Sequence, residues 1–451
     1  MSLSVKKILL GAANQNTGQT YWLLQIPSGY IMTGASKDPS NNIYLCLSND
    51  LTTTSAKTWV FKFDSNGDEL WQRELSNSTY GFRRGTPLWI DNAHLCIAAQ
   101  EGDAVNDLLF CMLDPADGTN EGATQRVTLP SGGVQQARAG NLQALSTSEI
   151  YHFGKGSSST ENCLQMFDDT LNMTYMRDTG AASYGSSPGR QQFNGKAVNS
   201  DGSWCVWASG RDLYARCEKM EGGANPTDGY RSAGGALSNR NAAEEACVDI
   251  HNSDDIYFTG YWRDGTAVGS GGSERVLVGK LNSTFDQQWI KEAYNGTNVN
   301  RRGWAIDVNH DGDEIAVGIY RGENVADVIF VDASGNLASN MIRFTEQVGG
   351  TPTVYPEILK YFDADSLLVG AYYYSGTYDG AFLCMLNRAD MASMVGTYGN
   401  VTISEIAESY TWGNETSGTN NSYDNTTNSG STGSQTQGNT ASSITVTKTN
   451  L

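Results

Sequence analysis

The sequence predicts an all-β chain built by repetition. Three observations carry this. Charged residues are 18% of the 451 positions while Gly numbers 50, a composition suited to many short strands joined by turns. No window sustains the 3.6-residue apolar period of a helix. The unit Trp59 to Leu75, WVFKFDSNGDELWQREL, then returns in degenerate form along most of the chain.

That unit has a mechanism. Trp59 to Phe63 is aromatic and β-branched, Asp64-Ser65-Asn66-Gly67 is a turn, and Glu69 to Leu75 is extended again. Gly67 takes a positive φ without steric cost, and the Asp64 carboxylate can accept from the backbone two residues on. Before it lies a strand at NNIYLCLS (41–48). Further pairs follow at 93–99 with 108–114, 149–154 with 163–168, 203–209 with 213–220, 255–262 with 275–282, 314–320 with 327–332, and 366–374 with 382–387. The second members begin near 59, 108, 163, 213, 275, 327 and 382, so the period is about 50 residues. Seven residues beyond the terminal Asp or Asn stand Trp71, Tyr175, Trp289 and Met394, bulky residues at one offset in four of the seven units.

A period of this length with four strands per unit predicts a seven-bladed β-propeller over residues 21–407. WVFKF and LLFCML are apolar at odd and even positions alike, as in sheets buried on both faces between neighbours. A parallel β-helix is the competing architecture, with coils of about half this length. Residues 1–20 read as a short N-terminal arm, and Tyr21 to Ile26 (YWLLQI) as a strand. Two closures are open: that strand completes the last blade, or Ala392 to Thr397 does and residues 1–26 lie outside.

Beyond residue 407 the composition shifts. Residues 408–441 form a linker rich in Asn, Ser, Thr and Gly, and such a segment buries too little apolar surface to offset its ordering entropy. The end, SSITVTKTNL (442–451), alternates again. Ile444, Val446 and Leu451 are the expected partner-binding residues of a strand that adds to a partner or to another copy.

Thirty Lys and Arg against 49 Asp and Glu give a net charge of −19. Such a surface repels phosphate backbones and anionic bilayers, so nucleic acid is not an expected partner. No apolar run approaches the ~18 residues of a membrane span, and Ile8 to Ala13 is too short for a secretory h-region. The expectation is a chain kept soluble in a cytoplasm, or exported without such a signal. Cys46, Cys96, Cys111, Cys163, Cys205, Cys217, Cys247 and Cys384 show no metal or redox spacing and read as reduced core residues.

Chemistry-bearing patterns are few. Asp307, Asn309, Asp311 and Asp313 alternate before a strand as in calcium loops, and calcium is the one cofactor they suggest. The position of the twelfth ligand is Gly318, however, and Asn199-Ser-Asp201-Gly202 holds an equivalent turn in another unit. The four histidines (94, 152, 251, 310) form no catalytic motif, and Asp168-Asp169 and Asp254-Asp255 fall at turns. No enzyme is expected, although a glycosidase pair could be assembled from distant blades. Tyr372-Tyr373-Tyr374 cannot all face one side of a strand, so at least one reaches a surface, where Tyr suits sugar or protein contacts.

The repeat, with a strand like IYFTGYW followed by VLVGKLN and a Trp strand, resembles the SBBP-type bacterial β-propeller repeats over about residues 28–400. The opening, KKILLGAA followed by TYWLLQI, resembles propeller-type structural proteins of tailed phages of marine bacteria. What that resemblance implies is a non-enzymatic virion protein, tail-associated as a fibre or tip component or else a capsid decoration protein. It would assemble in a host cytoplasm with other virion proteins, as a homo-oligomer, and contact a host surface glycan. A bacterial carbohydrate-binding or adhesion propeller is the alternative, and a polysaccharide hydrolase the third reading.

Overall fold

The structure is a computed structural model. It describes residues 6–9, 21–49, 53–79, 81–101, 108–121, 124–127, 142–155, 162–171, 173–178, 196–200, 204–211, 214–221, 230–233, 240–242, 247–251, 253–264, 274–283, 287–294, 301–347, 352–407, 410–414 and 447–448. Strands dominate these residues, and the one helical element is the single 3₁₀ turn Met391–Met394. The architecture is all-β with a propeller-type repeat.

Sheet 1 shows the unit. Ile31–Lys37, Ile43–Ser48, Lys57–Phe63 and Glu69–Ser76 pair in chain order, all antiparallel. Sheets 2, 3, 4, 5 and 6 follow the same order, with first strands at Arg83–Trp89, Leu142–Ser146, Lys196–Val198, Cys247–Ile250 and Arg302–Val308. Sheet 7 begins Thr353–Tyr361, Ser366–Tyr374 and Tyr378–Asn387, but its fourth strand comes from the other end of the chain: Trp22–Ile26 pairs antiparallel with 381–385. Of the two strands that the sequence left open for this position, Trp22–Ile26 is the one paired here. The segment that would have supplied the other forms the 3₁₀ turn and a short strand, Gly396–Tyr398, paired elsewhere.

The turn at Asp64 is built as the sequence requires. Asn66 N and Asp68 N donate to Asp64 Oδ1 at 2.9 and 2.8 Å, and Gly67 has φ +77°. Asp38 and Asp332 each accept two backbone N–H bonds the same way.

These turns also join neighbouring sheets. The Trp22 indole lies against Gly67, where an added Cβ would meet Trp22 Cδ2 at 2.6 Å, and Trp22 Nε1 donates to Ser65 O at 3.1 Å. Trp71 repeats this on sheet 2, with Nε1 donating to Pro115 O at 3.1 Å and its ring against Gly118. Trp289 repeats it on sheet 6, donating to Ala333 O at 2.9 Å with its ring against Gly335. The shared offset of Trp71 and Trp289 therefore marks a contact between sheets. Met394 does not belong to that set: it is buried in the 3₁₀ turn, where its Sδ accepts from Asn387 N. The indole expected there is supplied by Trp22, because the fourth strand of sheet 7 is N-terminal. The side chain of Tyr175 lies outside the described residues.

First strands are also tied to one another. Trp89 N donates to Ser36 Oγ (3.0 Å), Val198 N to Gln143 Oε1 (2.8 Å), Val308 N to Asp249 Oδ2 (3.2 Å) and Tyr361 N to Asp307 Oδ2 (2.6 Å). Sheets 2 and 3 meet through Phe110 and Phe167, with centroids 4.4 Å apart. Ser200 N reaches Asp254 Oδ1 across sheets 4 and 5, and Lys37 Nζ reaches Phe362 O across sheets 1 and 7. Cys46, Cys96, Cys111 and Cys384 are buried free thiols, and burial pushes Cys111 up to about 12.

Several fourth strands gain a further strand outside them. Lys6–Leu9 pairs with Trp22–Ile26, and Val401–Ala407 covers Asn340–Glu346 of sheet 6. Thr411–Asn414 covers Gln287–Tyr294 of sheet 5. Within the segment expected as a linker from 408, the described residues 410–414 are not polar filler. Tyr410 is buried with its hydroxyl donating to Asp327 Oδ2 (2.9 Å), and Trp412 Nε1 donates to Gly335 O (2.9 Å). Of the terminal segment, Thr447–Lys448 pairs with Gln125 and Arg126 on the outer edge of sheet 2. Ile444, Val446 and Leu451 lie outside the described residues.

Gly67→Ala is expected to destabilise the protein by about 2–3 kcal/mol. The left-handed conformation costs about 1–2 kcal/mol for an L residue, and the Trp22 ring must also move. Urea denaturation checks this, and a stability equal to wild type would contradict the indole–glycine contact.

Candidate functional site

The end of the sheets at which the first strands begin gathers aromatic rings and arginines. Arg302 opens the first strand of sheet 6, and Trp304 follows at a β-bulge between Gly303 and Ala305. Tyr320 closes the second strand of that sheet, opposite Arg302. Tyr355 stands near the start of the first strand of sheet 7, opposite Tyr372. Strand order therefore delivers these residues to one place although they span residues 302–372.

The rings form a ladder. Tyr355 and Tyr372 stack with centroids 4.9 Å apart at an interplanar angle of 9°. Tyr320 lies 4.9 Å from Tyr355, and Trp304 lies 5.1 Å from Tyr320 and 5.0 Å from Tyr355. Trp304 is buried, while Tyr320, Tyr355 and Tyr372 are half-buried. Trp304 Nε1 donates to Glu357 Oε2 at 2.9 Å, which fixes the indole. The Arg302 guanidinium continues the ladder into sheet 5, 5.4 Å from the Tyr320 centroid and 4.6 Å from that of Tyr261. Glu274, fully buried, accepts from Arg302 Nε at 2.7 Å and Nη2 at 3.0 Å. This fork-to-fork pair holds a cation flat between two rings.

Of the expected aromatic triplet, the structure brings Tyr372 into the ladder. Tyr374 is 39% exposed, whereas Tyr373 is buried, and burial pushes its hydroxyl well above the ordinary phenol range. Sequence reading missed Trp304, Tyr320 and Tyr355. The available signal was an aromatic near the start of successive first strands, but those strands were themselves hard to recognise.

The calcium candidate resolves into separate duties. Asp307 is buried at the far end of its strand. Its Oδ1 accepts from Lys360 Nζ at 2.7 Å and its Oδ2 from Tyr361 N. Burial pushes its carboxyl up to about 6 against the pull of Lys360, with Asp249 adding to the rise. Lys360 is held above the ordinary lysine range, first by Asp307. Asn309 caps the turn, accepting from Asp313 N and Glu314 N while its Nδ2 donates to Asp313 Oδ1 at 2.6 Å. Gly312 has φ +73° and lies against the His251 ring, whose Nε2 donates to His310 O at 2.8 Å. Asp307, Asn309 and Asp313 thus have protein partners, and among the described residues no group of three or more His, Cys, Asp or Glu is placed to hold a metal ion. No described helix is long and apolar enough to cross a membrane.

No protein-family model matches the chain, and no curated protein matches it. Solved structures do resemble it. The Dos1 propeller is 11% identical with a TM-score of 0.45, covering 85% of this chain and 92% of its own. The C-terminal WD40 domain of Sif2 is 11% identical with a TM-score of 0.46, covering 85% and 99%. The quinohemoprotein alcohol dehydrogenase of Comamonas testosteroni is 10% identical with a TM-score of 0.42, covering 84% and 71%. An enzyme stands beside WD40 domains in this set. At such scores the likeness carries no residue role and no activity, and the architecture rests on the strand pairing above.

Lys360→Met is expected to cost about 1–3 kcal/mol at neutral pH. It strands the buried Asp307 carboxylate, but Lys360 keeps 45% of its side-chain surface exposed, so screening discounts the loss. Removing the cation raises the Asp307 carboxyl further, so the folded state holds its proton at pH values where the unfolded chain has lost it. The loss should therefore shrink as the pH falls toward 4. Thermal melts across pH 4–8 check this, and a deficit that grows on acidification would contradict the pairing.

Proposed function

We propose that the seven sheets are the blades of a β-propeller closed through Trp22–Ile26, and that the protein is a non-enzymatic binding component which grips a saccharide with its aromatic ladder. The observation that carries the reading is the contact series Tyr372–Tyr355–Tyr320, half-buried rings backed by a fixed indole and a buried Arg–Glu pair. Sugar rings present C–H faces that pack on tyrosine rings, and a rigid ladder meets them with little ordering cost. Linkage of each sheet to the next, and of sheet 7 to sheet 1 through Trp22 and Lys37, supports the closed form. The acids of the turns serve as caps and the buried Glu274 as an ion-pair partner, which favours binding over hydrolysis.

In this reading, supported by the resemblance of the opening residues, the protein belongs to a tailed-phage virion, with the propeller on the tail and a host surface glycan as ligand. Chain additions at the sheet edges suit a protein that assembles with other virion proteins and with itself. On a glycan array the intact protein should bind, and Tyr372→Ala should lose about tenfold in affinity, about 1.4 kcal/mol. Binding unchanged by that substitution would remove the ladder from the function. Antibody-gold electron microscopy of particles tests the rest: label on the tail is expected, and unlabelled particles would overturn the virion assignment.

A further inference from the structure

Beside the ladder, sheet 6 carries two arginines whose shared partner is poorly seated. Arg301 precedes Arg302, and Arg321 follows Tyr320, so both stand at the same end of the sheet as the rings. Their side chains are 3% and 11% exposed. Arg301 Nη1 donates to Arg321 O at 2.9 Å, which sets the two side by side. Arg321 Nη1 donates to the buried Asp327 at 2.9 Å, and Asp327 also takes Arg343 at 2.7 and 2.9 Å.

Glu323 reaches both arginines, and its distances are long. Arg301 Nη1 and Nη2 both lie 3.5 Å from Glu323 Oε1, and Arg321 Nη2 lies 3.4 Å from Oε2. Its side chain is 47% exposed. Elsewhere in the same region guanidinium–carboxylate pairs close to 2.7–3.0 Å on acids with fully buried side chains. In addition, Arg321 Nε is buried with no partner among the described residues. Of the two carboxylates that Arg321 contacts, Asp327 is held closely and Glu323 loosely. Buried guanidinium donors favour short, charge-assisted bonds, so an occupant at 3.5 Å is readily replaced.

We infer that Arg301 and Arg321 form a site for an oxyanion carried by the ligand, a carboxylate or sulfate on an acidic saccharide, and that Glu323 occupies it in the free protein. The inference rests on the saccharide reading and narrows it. Glu323 O accepts from Val354 N at 3.1 Å, which anchors the Glu323 loop beside Tyr355. An acidic group in the site therefore leaves the sugar ring within reach of the ladder. The net charge of −19 opposes approach of an anion at long range, so binding should strengthen as salt rises toward physiological ionic strength, where the Debye length falls to about 8 Å.

The test compares wild type with Glu323→Gln, a near-isosteric substitution at a half-exposed position. Sialyllactose, 3′-sulfated lactose and lactose are titrated calorimetrically, and melting is followed in sodium sulfate against sodium chloride at equal ionic strength. The acidic sugars should bind about tenfold more tightly than lactose. Glu323→Gln should tighten the acidic sugars several-fold, leave lactose unchanged, and increase the extra stabilisation given by sulfate. If no sugar binds but the sulfate gain still depends on Glu323, the anion site stands and the saccharide reading fails. If lactose and the acidic sugars bind alike and Glu323→Gln alters nothing, the saccharide reading stands and the anion site is overturned. No Glu323 dependence for any anion overturns it as well.

Discussion

An indole resting on a left-handed glycine in the next sheet is the contact on which this architecture depends. A sheet of four strands cannot bury both faces alone, and the chain solves this by stacking sheets. Apolar packing between sheets is non-directional, so something must fix their relative position. Trp22, Trp71 and Trp289 do so from the fourth strand, each donating to the carbonyl of the residue after the turn's Asp while its ring covers the turn's Gly. The Asp holds the turn in shape and the Gly leaves room for the ring. One short turn thereby serves the hairpin it closes and the neighbour it receives.

Strand pairs two and three of each unit were legible in the sequence, because they are apolar on both faces and end in Asp or Asn. First strands were not. Arg83–Trp89 and Thr353–Tyr361 contain Pro87 and Pro356, tolerated because a first strand has one open edge. Register shifts at Met32/Gly34, Gly303/Ala305 and Pro356/Ile358 break the period-two pattern that would have announced them. The ladder was hidden for the same reason, since Trp304 and Tyr355 lie on those strands. Tyr372 was visible because it belongs to an aromatic run on a second strand. The alternation at Asp307 to Asp313 suggested metal ligands, but it reflects a strand end whose acid pairs with Lys360, followed by a turn capped by Asn309. From spacing alone these two arrangements look identical.

Charge is arranged unevenly. Carboxylates at the turns between first and second and between third and fourth strands accept backbone N–H bonds, which keeps several of them ionised: Asp332 is held below the ordinary carboxylate range by its bonds from Asn336, Ser334 and Gly335, against a burial effect in the other direction. At the opposite end, where first strands begin, arginines are buried against acids and rings. The molecule is strongly acidic overall, yet its aromatic end presents guanidinium groups from two adjoining sheets and from the loop between second and third strands of sheet 6. The capped turns and the aromatic–arginine cluster are thus kept at different ends of the same strands.

The most direct measurement of the central claim is hydrogen exchange of the intact chain, read at Trp22–Ile26 beside its partner 381–385. If the N-terminal strand completes sheet 7 and seats Trp22 on Gly67, the two segments exchange together and as slowly as the second and third strands of sheet 7. Rapid exchange at 22–26 while 381–385 stays protected would contradict the closure.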